Sequence, residues 1–324
     1  MHGTLHEVVV TGNQIQKILR SEKEYVVDYD FAGDNILVAT HSGTGAHKTN
    51  KLFLMTTESD TLSVISLPEE PLSLYKSCVG RYYVIATKKF YPISIKDNHL
   101  KLDTPHNINL LPKMQACEYT TKNKFYYRYA NKEHFDVRYG WEYKGDTDFH
   151  LISRFYIAAA DRSSQLELME IIWLIEHFRF SEAAKKSGTR YLLNNSTYSF
   201  IDLPLYTTSD SLVIFDLKKR SINFYDMEGK SVGKANIQFD WRGTQNVKVL
   251  TDDATGKFYL STNNKAGGGI LDELNINTGT YTSTRYAVRR PFIQNVKMHN
   301  GNVYFLWQDN HNGATAQLFV QRYD

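Results

Sequence analysis

The chain has 324 residues, 42% hydrophobic and 23% charged, with a formal net charge of +3. That charge is small and the Lys and Arg are scattered, which excludes an electrostatic groove for nucleic acid. No apolar run reaches the ~18–20 residues of a membrane span, and the N-terminal stretch lacks the basic-then-apolar plan of a signal peptide. Tyr (22) and Phe (17) are abundant, which favours strands with aromatic packing between sheets. Cys78 and Cys117 are the only cysteines, too few for a disulfide framework or a zinc site. Two buried thiols are the plain reading and one bridge is the alternative. Lys122 and Lys124 read as solvated surface.

In chain order, Val8-Val9-Val10-Thr11 is a β-branched run before a Gly12-Asn13 turn. Residues 1–24 are expected to serve either as a ring-closing strand, with Glu7–Thr11 against Gln317–Tyr323, or as an extended segment ahead of the domain. Tyr25–Leu67 and Pro71–Pro105 each hold four short alternating runs, punctuated by Asp34-Asn35, Glu58-Ser59-Asp60, Gly80 and Asp97-Asn98. Their starts lie about 45 residues apart, the period of a four-stranded propeller blade. A third blade begins near Leu111, and Asn131–Asp148 reads as a long polar aromatic loop between its second and third strands.

Trp173–Ser187 breaks the alternation. Leu174, Ile175, Phe178, Ala183 and Ala184 recur near helical spacing and Gly188 follows as a cap, so a helical insertion is expected over 173–188. A fourth blade covers Tyr191–Phe239 and contains the clearest stretch of the chain, Ser211–Asn236. There Val213, Phe215, Ile222 and Phe224 alternate with polar neighbours, and Gly229 supplies a hairpin turn. Val247–Val288 makes a fifth blade. Pro291–Tyr323 makes a sixth with only three strands, so its fourth must come from the N-terminus. The expectation is an all-β, six-bladed propeller over residues 1–324 as a single domain, with seven blades as the alternative if the helical region holds a whole blade.

The segment LVIFDLKKRSINFYD with its following glycine resembles the repeat of NHL-type six-bladed propellers, and Thr255–Leu260 followed by Leu274–Gly279 fits the same scheme. Pro71–Gly80 together with Cys117 resembles bacterial cell-envelope propellers without established activity. That resemblance implies a periplasmic or outer-membrane-associated protein if a targeting segment has been removed, and otherwise a cytoplasmic one. Leu5–Gly12 resembles the L-x-E-V-V-V-T-G segment of TonB-dependent outer-membrane receptors, which implies a TonB-like partner through Glu7, Val8, Val9 and Val10.

No catalytic set converges in the sequence. His41 and His47 bracket a glycine-rich loop without a third ligand, Asp252-Asp253 reads as a β-turn, and no Gly-x-Ser-x-Gly elbow is present. Asp28, Asp30 and Glu118 lie near the starts of inner strands, where propeller lactonases gather ligands to a divalent ion. They form no repeating series, so no metal and no cofactor is expected. The cluster Tyr126, Tyr127, Arg128, Tyr129, Arg138 and Trp141 combines π faces with cations and suits a sugar or a peptide side chain. Tyr127, Arg128, Arg138 and Trp141 are its candidate ligand-binding residues. Arg289 and Arg290 are a second candidate, for an anion at one mouth of the channel. The reading is a non-enzymatic binding module with an unknown protein, peptide or glycan ligand. A metal-dependent, lactonase-like hydrolase is the alternative.

Overall fold

The computed structural model describes residues 8–10, 14–21, 23–43, 48–131, 136–156, 203–208, 210–217, 219–238, 245–263, 269–288, 290, 293–308 and 316–323. The helix expected over 173–188 lies outside these residues. The described strands form six sheets, five of them built on four antiparallel strands consecutive in the chain and the sixth on three such strands completed by one from the N-terminal region, and the fold is a six-bladed β-propeller.

Two strands, β1 (Val8–Val10) and β2 (Gln14–Lys17), precede the blades. Blade 1 holds β3 (Glu24–Ala32), β4 (Asn35–Ser42), β5 (Thr49–Thr56) and β6 (Thr61–Ser66). Blade 2 holds β7 (Pro71–Lys76), β8 (Tyr82–Ala86), β9 (Lys89–Lys96) and β10 (His99–Leu102), with the short β11 (His106–Asn107) also on β9. A one-turn helix, α1 (Leu111–Gln115), leads into blade 3, which holds β12 (Cys117–Thr120), β13 (Lys124–Asn131), β14 (Asp136–Tyr143) and β15 (His150–Tyr156). Blade 4 holds β16 (Leu205–Thr207), β17 (Leu212–Asp216), β18 (Ser221–Tyr225) and β19 (Ser231–Asn236). Blade 5 holds β20 (Gln245–Asp252), β21 (Lys257–Asn263), β22 (Gly269–Asn275) and β23 (Thr280–Val288). Blade 6 holds β24 (Gln294–His299), β25 (Asn302–Trp307) and β26 (Gln317–Arg322).

The chain separates into two compact units. The first takes blades 1, 2 and 6 with most of blade 5, and the second takes blades 3 and 4 with residues 245–249 and 275–280. Within the first unit, blades 1 and 6 bury Ile36, Val38, Tyr304 and Leu318 together, and blades 1 and 2 bury Leu37, Leu52, Val84 and Ile93. Alternation explains this directly. Ile36 and Val38 face one neighbour of β4 while Leu37 and Ala39 face the other, because a strand points successive side chains to opposite faces. In the second unit, Tyr126, Tyr139 and Trp141 of blade 3 pack on Leu205, Leu212 and Ile214 of blade 4.

Turn chemistry matches the sequence. Asp97 and Asn98 both take positive φ, 50° and 62°, the pattern a two-residue hairpin needs. Gly279, at φ 71°, sits so close to the carbonyl of Asn236 that a Cβ would collide with it. The Gly279 carbonyl in turn accepts from the Gln238 N–H at 2.8 Å.

Three expectations are corrected. The missing strand of blade 6 does come from the N-terminal region, but it is β2, not Glu7–Thr11. Gln14 pairs with Arg322 and Lys17 with Phe319. The reason is burial just downstream: Ile18 and Leu19 are 0% and 4% exposed in the core of blades 1 and 6, and Ile18 N–H donates to the Leu318 carbonyl at 2.9 Å. That anchor sets which residues reach β26. Val8–Val10 instead runs parallel to Thr284–Tyr286 on the edge of blade 5. Second, the long loop expected over Asn131–Asp148 contains β14, because Val137, Tyr139 and Trp141 alternate with Arg138, Gly140 and Glu142 and all three are buried. Third, Cys78 and Cys117 are bridged, with Cα atoms 5.7 Å apart. The bond ties the β7–β8 turn to the first residue of blade 3's inner strand.

Candidate functional site

Blade 3 carries the aromatic cluster, and its register divides that cluster in two. Tyr126 lies opposite Trp141 and Arg128 opposite Tyr139, whereas Tyr127 lies opposite Gly140 and Tyr129 opposite Arg138. Directly opposed residues of antiparallel strands share a face. Trp141 and Arg128 therefore occupy the face packed on blade 4, and Tyr127 and Arg138 occupy the other.

The face toward blade 4 is closed. Trp141 is 6% exposed, its ring stacked on His150 at 3.9 Å and covered by Lys124 Nζ at 3.9 Å. Lys124 is itself only 7% exposed and pairs with Glu228 at 2.6 Å, so it is an inter-blade tie rather than solvated surface. Tyr126 donates its hydroxyl to the Met227 carbonyl at 2.9 Å, and burial pushes its pKa up to about 12. Arg128 pairs with Glu118 at 2.7 Å. Of the two candidates on this face, Trp141 is buried in packing and Arg128 is paired with Glu118.

The opposite face is a row of rings. Phe125 and Tyr127 lie 6.3 Å apart by centroid, Tyr127 and Tyr129 5.6 Å, and Tyr129 and Phe149 5.5 Å. The bare Gly140 makes room for Phe149: a Cβ there would run into its ring and lie 2.6 Å from the His150 carbonyl. Tyr129 is 41% exposed, Phe149 37% and Leu151 58%. Burial, then the charge of Glu142, raises the pKa of Tyr127 to about 12 and that of Tyr129 in the same direction. Lys144 Nζ stands 5.0 Å over the Phe125 ring.

At one end of the row, Arg138 and Arg154 lie directly opposite each other on β14 and β15. Like charges so placed repel. Asp136, fully buried, relieves this by accepting Nε–H from both on its Oδ2, from Arg138 at 3.0 Å. Burial pushes the Asp136 pKa up, but the two arginine bonds and charges outweigh it and hold the carboxyl below the usual aspartate range. Its Oδ1 makes no hydrogen bond among the described residues.

The other candidates resolve as follows. Asp28 accepts from Tyr29 N–H at 2.8 Å, from Leu74 N–H at 2.7 Å and from Asn295 Nδ2 at 2.5 Å, joining blades 1, 2 and 6. Burial raises its pKa against the opposing pull of Lys297. Asp30 pairs with Lys297 at 2.8 Å. Asp252 is a turn cap that accepts from Ala254, Asn300 and Gly301 N–H groups. His41 stacks on Tyr25 at 4.7 Å, and His47 lies outside the described residues. Among the described residues no group of three or more His, Cys, Asp or Glu is placed to hold a metal. Arg290 stands 4.7 Å over the Trp307 ring, and Arg289 lies outside the described residues. No helix among the described residues is long and apolar enough to cross a membrane. Phe149, Arg154 and Glu142 were not singled out in the sequence. Arg154 joins the row only through the β14–β15 register, Phe149 only through its ring contact with Tyr129 over Gly140, and Glu142 lay in the stretch read as loop.

No family model matches the chain and no curated protein matches it. Among solved structures it is similar to a streptogramin B lyase (9% identity, 96% of this chain and 98% of the other, TM-score 0.41). It is also similar to BBS1N in complex with ARL6DN (7% identity, 98% and 97%, TM-score 0.44). A protein of unknown function from Dyadobacter fermentans is similar as well (10% identity, 97% and 99%, TM-score 0.43).

Proposed function

We propose that this chain is a non-enzymatic binding propeller of NHL-like, cell-envelope type, and that its ligand is a glycan laid along the ring row of blade 3. The observation that carries the reading is the partly open row Phe125–Tyr127–Tyr129–Phe149 on a sheet face whose reverse side buries Tyr126, Tyr139 and Trp141. Aromatic faces bind the C–H faces of sugars by dispersion, while the phenolic hydroxyls at the rim hydrogen-bond their polar edges. The Cys78–Cys117 bridge supports an oxidising compartment such as the periplasm or the outer-membrane surface, where such bonds persist. A TonB-like partner recognising Glu7, Val8, Val9 and Val10 would act at the N-terminal strand, drawing Val8–Val10 off the edge of blade 5 and adding it to its own sheet.

A glycan array probed with the wild-type chain and with Tyr129→Ala tests the binding reading. Selective binding by the wild type, lost in the variant while its thermal midpoint is kept, is the expected result. Binding to no glycan, or binding indifferent to Tyr129, rejects it.

A further inference from the structure

We propose that Asn300-Gly301 is a latent self-modification site, where the backbone nitrogen of Gly301 can close on the Asn300 side chain and expel ammonia, and that Asp252 guards it.

The fold itself selects the vulnerable pair. β24 and β25 are joined by these two residues alone, since His299 pairs with Asn302. Both take positive φ, 49° and 75°. A two-residue hairpin needs this at both positions, and asparagine followed by glycine meets the need. The same dipeptide is prone to cyclise, because Gly301 has no side chain to obstruct attack on the Asn300 Cγ. In that step the bond from Gly301 N to Cγ forms and the Cγ–Nδ2 bond breaks. The Gly301 proton leaves on the departing nitrogen as ammonia. Water then opens the succinimide and leaves aspartate or isoaspartate in place of Asn300.

Both reacting groups are held by other partners. The Gly301 N–H donates to Asp252 Oδ2 at 2.8 Å, and the Asn300 N–H to Oδ1 at 3.1 Å. Asp252 is the last residue of β20 in blade 5 and is 0% exposed. Attack requires the Gly301 nitrogen to give up its proton and take on negative charge. That breaks a charge-assisted hydrogen bond and sets a second anion against a buried carboxylate. At the other end, Asn300 Nδ2 lies 3.3 Å from His299 Nε2. His299 is buried, with its ring stacked on Phe31 at 4.1 Å. Burial lowers its pKa, so the neutral ring accepts Nδ2–H and restrains the side-chain amide.

The same tie gives the modification a consequence. Asp252 Oδ1 also accepts from the Ala254 N–H at 3.1 Å, so one carboxylate joins the β20–β21 turn to the β24–β25 hairpin. Aspartate at 300 places a second carboxylate beside it, and isoaspartate adds a backbone atom to a two-residue turn. Either product loosens blade 5 from blade 6.

Incubation of the chain, folded and in guanidinium chloride, tests the inference, read by peptide mass analysis that separates Asn300 from the chain's other such pair, Asn312-Gly313. Conversion at Asn300 is expected to be at least about ten-fold slower in the folded wild type than in denaturant, the factor that one charged hydrogen bond supplies. Asp252→Asn, held below its melting midpoint, is expected to recover most of that factor. His299→Phe, which keeps a ring on Phe31, is expected to recover a smaller part. Equal rates in the folded and unfolded wild type overturn the proposal, as does a folded Asp252→Asn variant that converts no faster than the wild type. If Asp252→Asn does not fold, deuterium exchange at the Gly301 amide of the wild type decides. Slow exchange together with slow conversion supports the guard, and exchange at the rate of the unfolded chain overturns it.

Discussion

The two faces of blade 3 are built from the same strands, and alternate residues of those strands have opposite fates. On the side toward blade 4, the Trp141 indole is sandwiched between His150 and Lys124, and its Nε1–H reaches the Glu228 carbonyl at 3.4 Å. One residue away on each strand, the side chains turn to the other side, where the rings of Tyr129 and Phe149 stay open. Both faces are rich in aromatics and cations. What separates them is exposure: Tyr126 and Trp141 are 0% and 6% exposed, whereas Tyr129 and Phe149 are 41% and 37% exposed. Residues adjacent in sequence are opposed in space in a strand, so a cluster read along the chain mixes a core with a surface.

The largest effect that divides the faces is expected from Trp141→Ala. Removing a buried indole typically costs about 3–5 kcal/mol, and here it also uncovers Lys124. Urea denaturation measures it, and a loss below about 1 kcal/mol would show that the indole is not a core group. Asp136→Asn comes next. Breaking a buried charge pair costs about 3–5 kcal/mol, but both arginines are more than a third exposed and solvent screens them, so about 1–3 kcal/mol is expected. The pH dependence gives a second readout. The folded pKa of Asp136 lies below its unfolded value, so its contribution is present above the unfolded pKa and is lost as pH falls through the lowered one. The variant should lack that part of the acid-side decline in stability. Asp28 has the opposite sign: its raised pKa favours the folded state at low pH, and that advantage is lost as pH rises through the raised value.

Gly140→Ala acts on the open face alone. The added methyl must displace the Phe149 ring or the β15 backbone, an overpacking cost of about 1–2 kcal/mol. Glycan binding should weaken with it, while tryptophan fluorescence from the reverse face stays as in the wild type. A variant that binds normally would show that the position of Phe149 is irrelevant to the ligand.

Much of the fold was legible because its determinants are local. Period-2 alternation located the strands of blades 1, 2, 4, 5 and 6, and Asp97-Asn98, Gly229 and Gly279 announced their turns through the backbone conformations they allow. The count of three strands in blade 6 pointed to the N-terminal region. It did not identify which residues close the sheet: Val8–Val10 has the stronger strand propensity, yet burial of Ile18 and Leu19 decides the register. In blade 3, β14 passed for a loop because Arg138, Gly140 and Glu142 dilute its alternation. The open face of blade 3 was legible by half. Tyr127 and Arg138 lie on it, Arg128 and Trp141 lie behind it, Arg154 arrives from a strand whose pairing no local signal specifies, and Phe149 arrives from the residue just ahead of that strand. The cysteine bridge belongs to the same class, since 39 residues separate its partners and only the tertiary path brings them together.

The smallest test is also the most closely matched, because it compares neighbours. Tyr126 and Tyr127 are adjacent, both in β13, and burial raises both phenols to about 12. Tyr126 is 0% exposed and its hydroxyl bonds the Met227 carbonyl of blade 4, so Tyr126→Phe removes the closer of that carbonyl's two donors and leaves Lys124 Nζ at 3.3 Å. A net loss of about 0.5–1.5 kcal/mol is expected, with no effect on ligand binding. Tyr127→Phe removes a hydroxyl that bonds the Glu142 side chain on the half-open face, where water replaces it. Stability should change by no more than about 0.5 kcal/mol, while glycan affinity falls if the phenol hydrogen-bonds the ligand edge. Urea melts and binding isotherms on the two variants read the two faces separately. A stability loss at Tyr127 equal to that at Tyr126 would mean that the second face is packed as tightly as the first, and the distinction between them would fall.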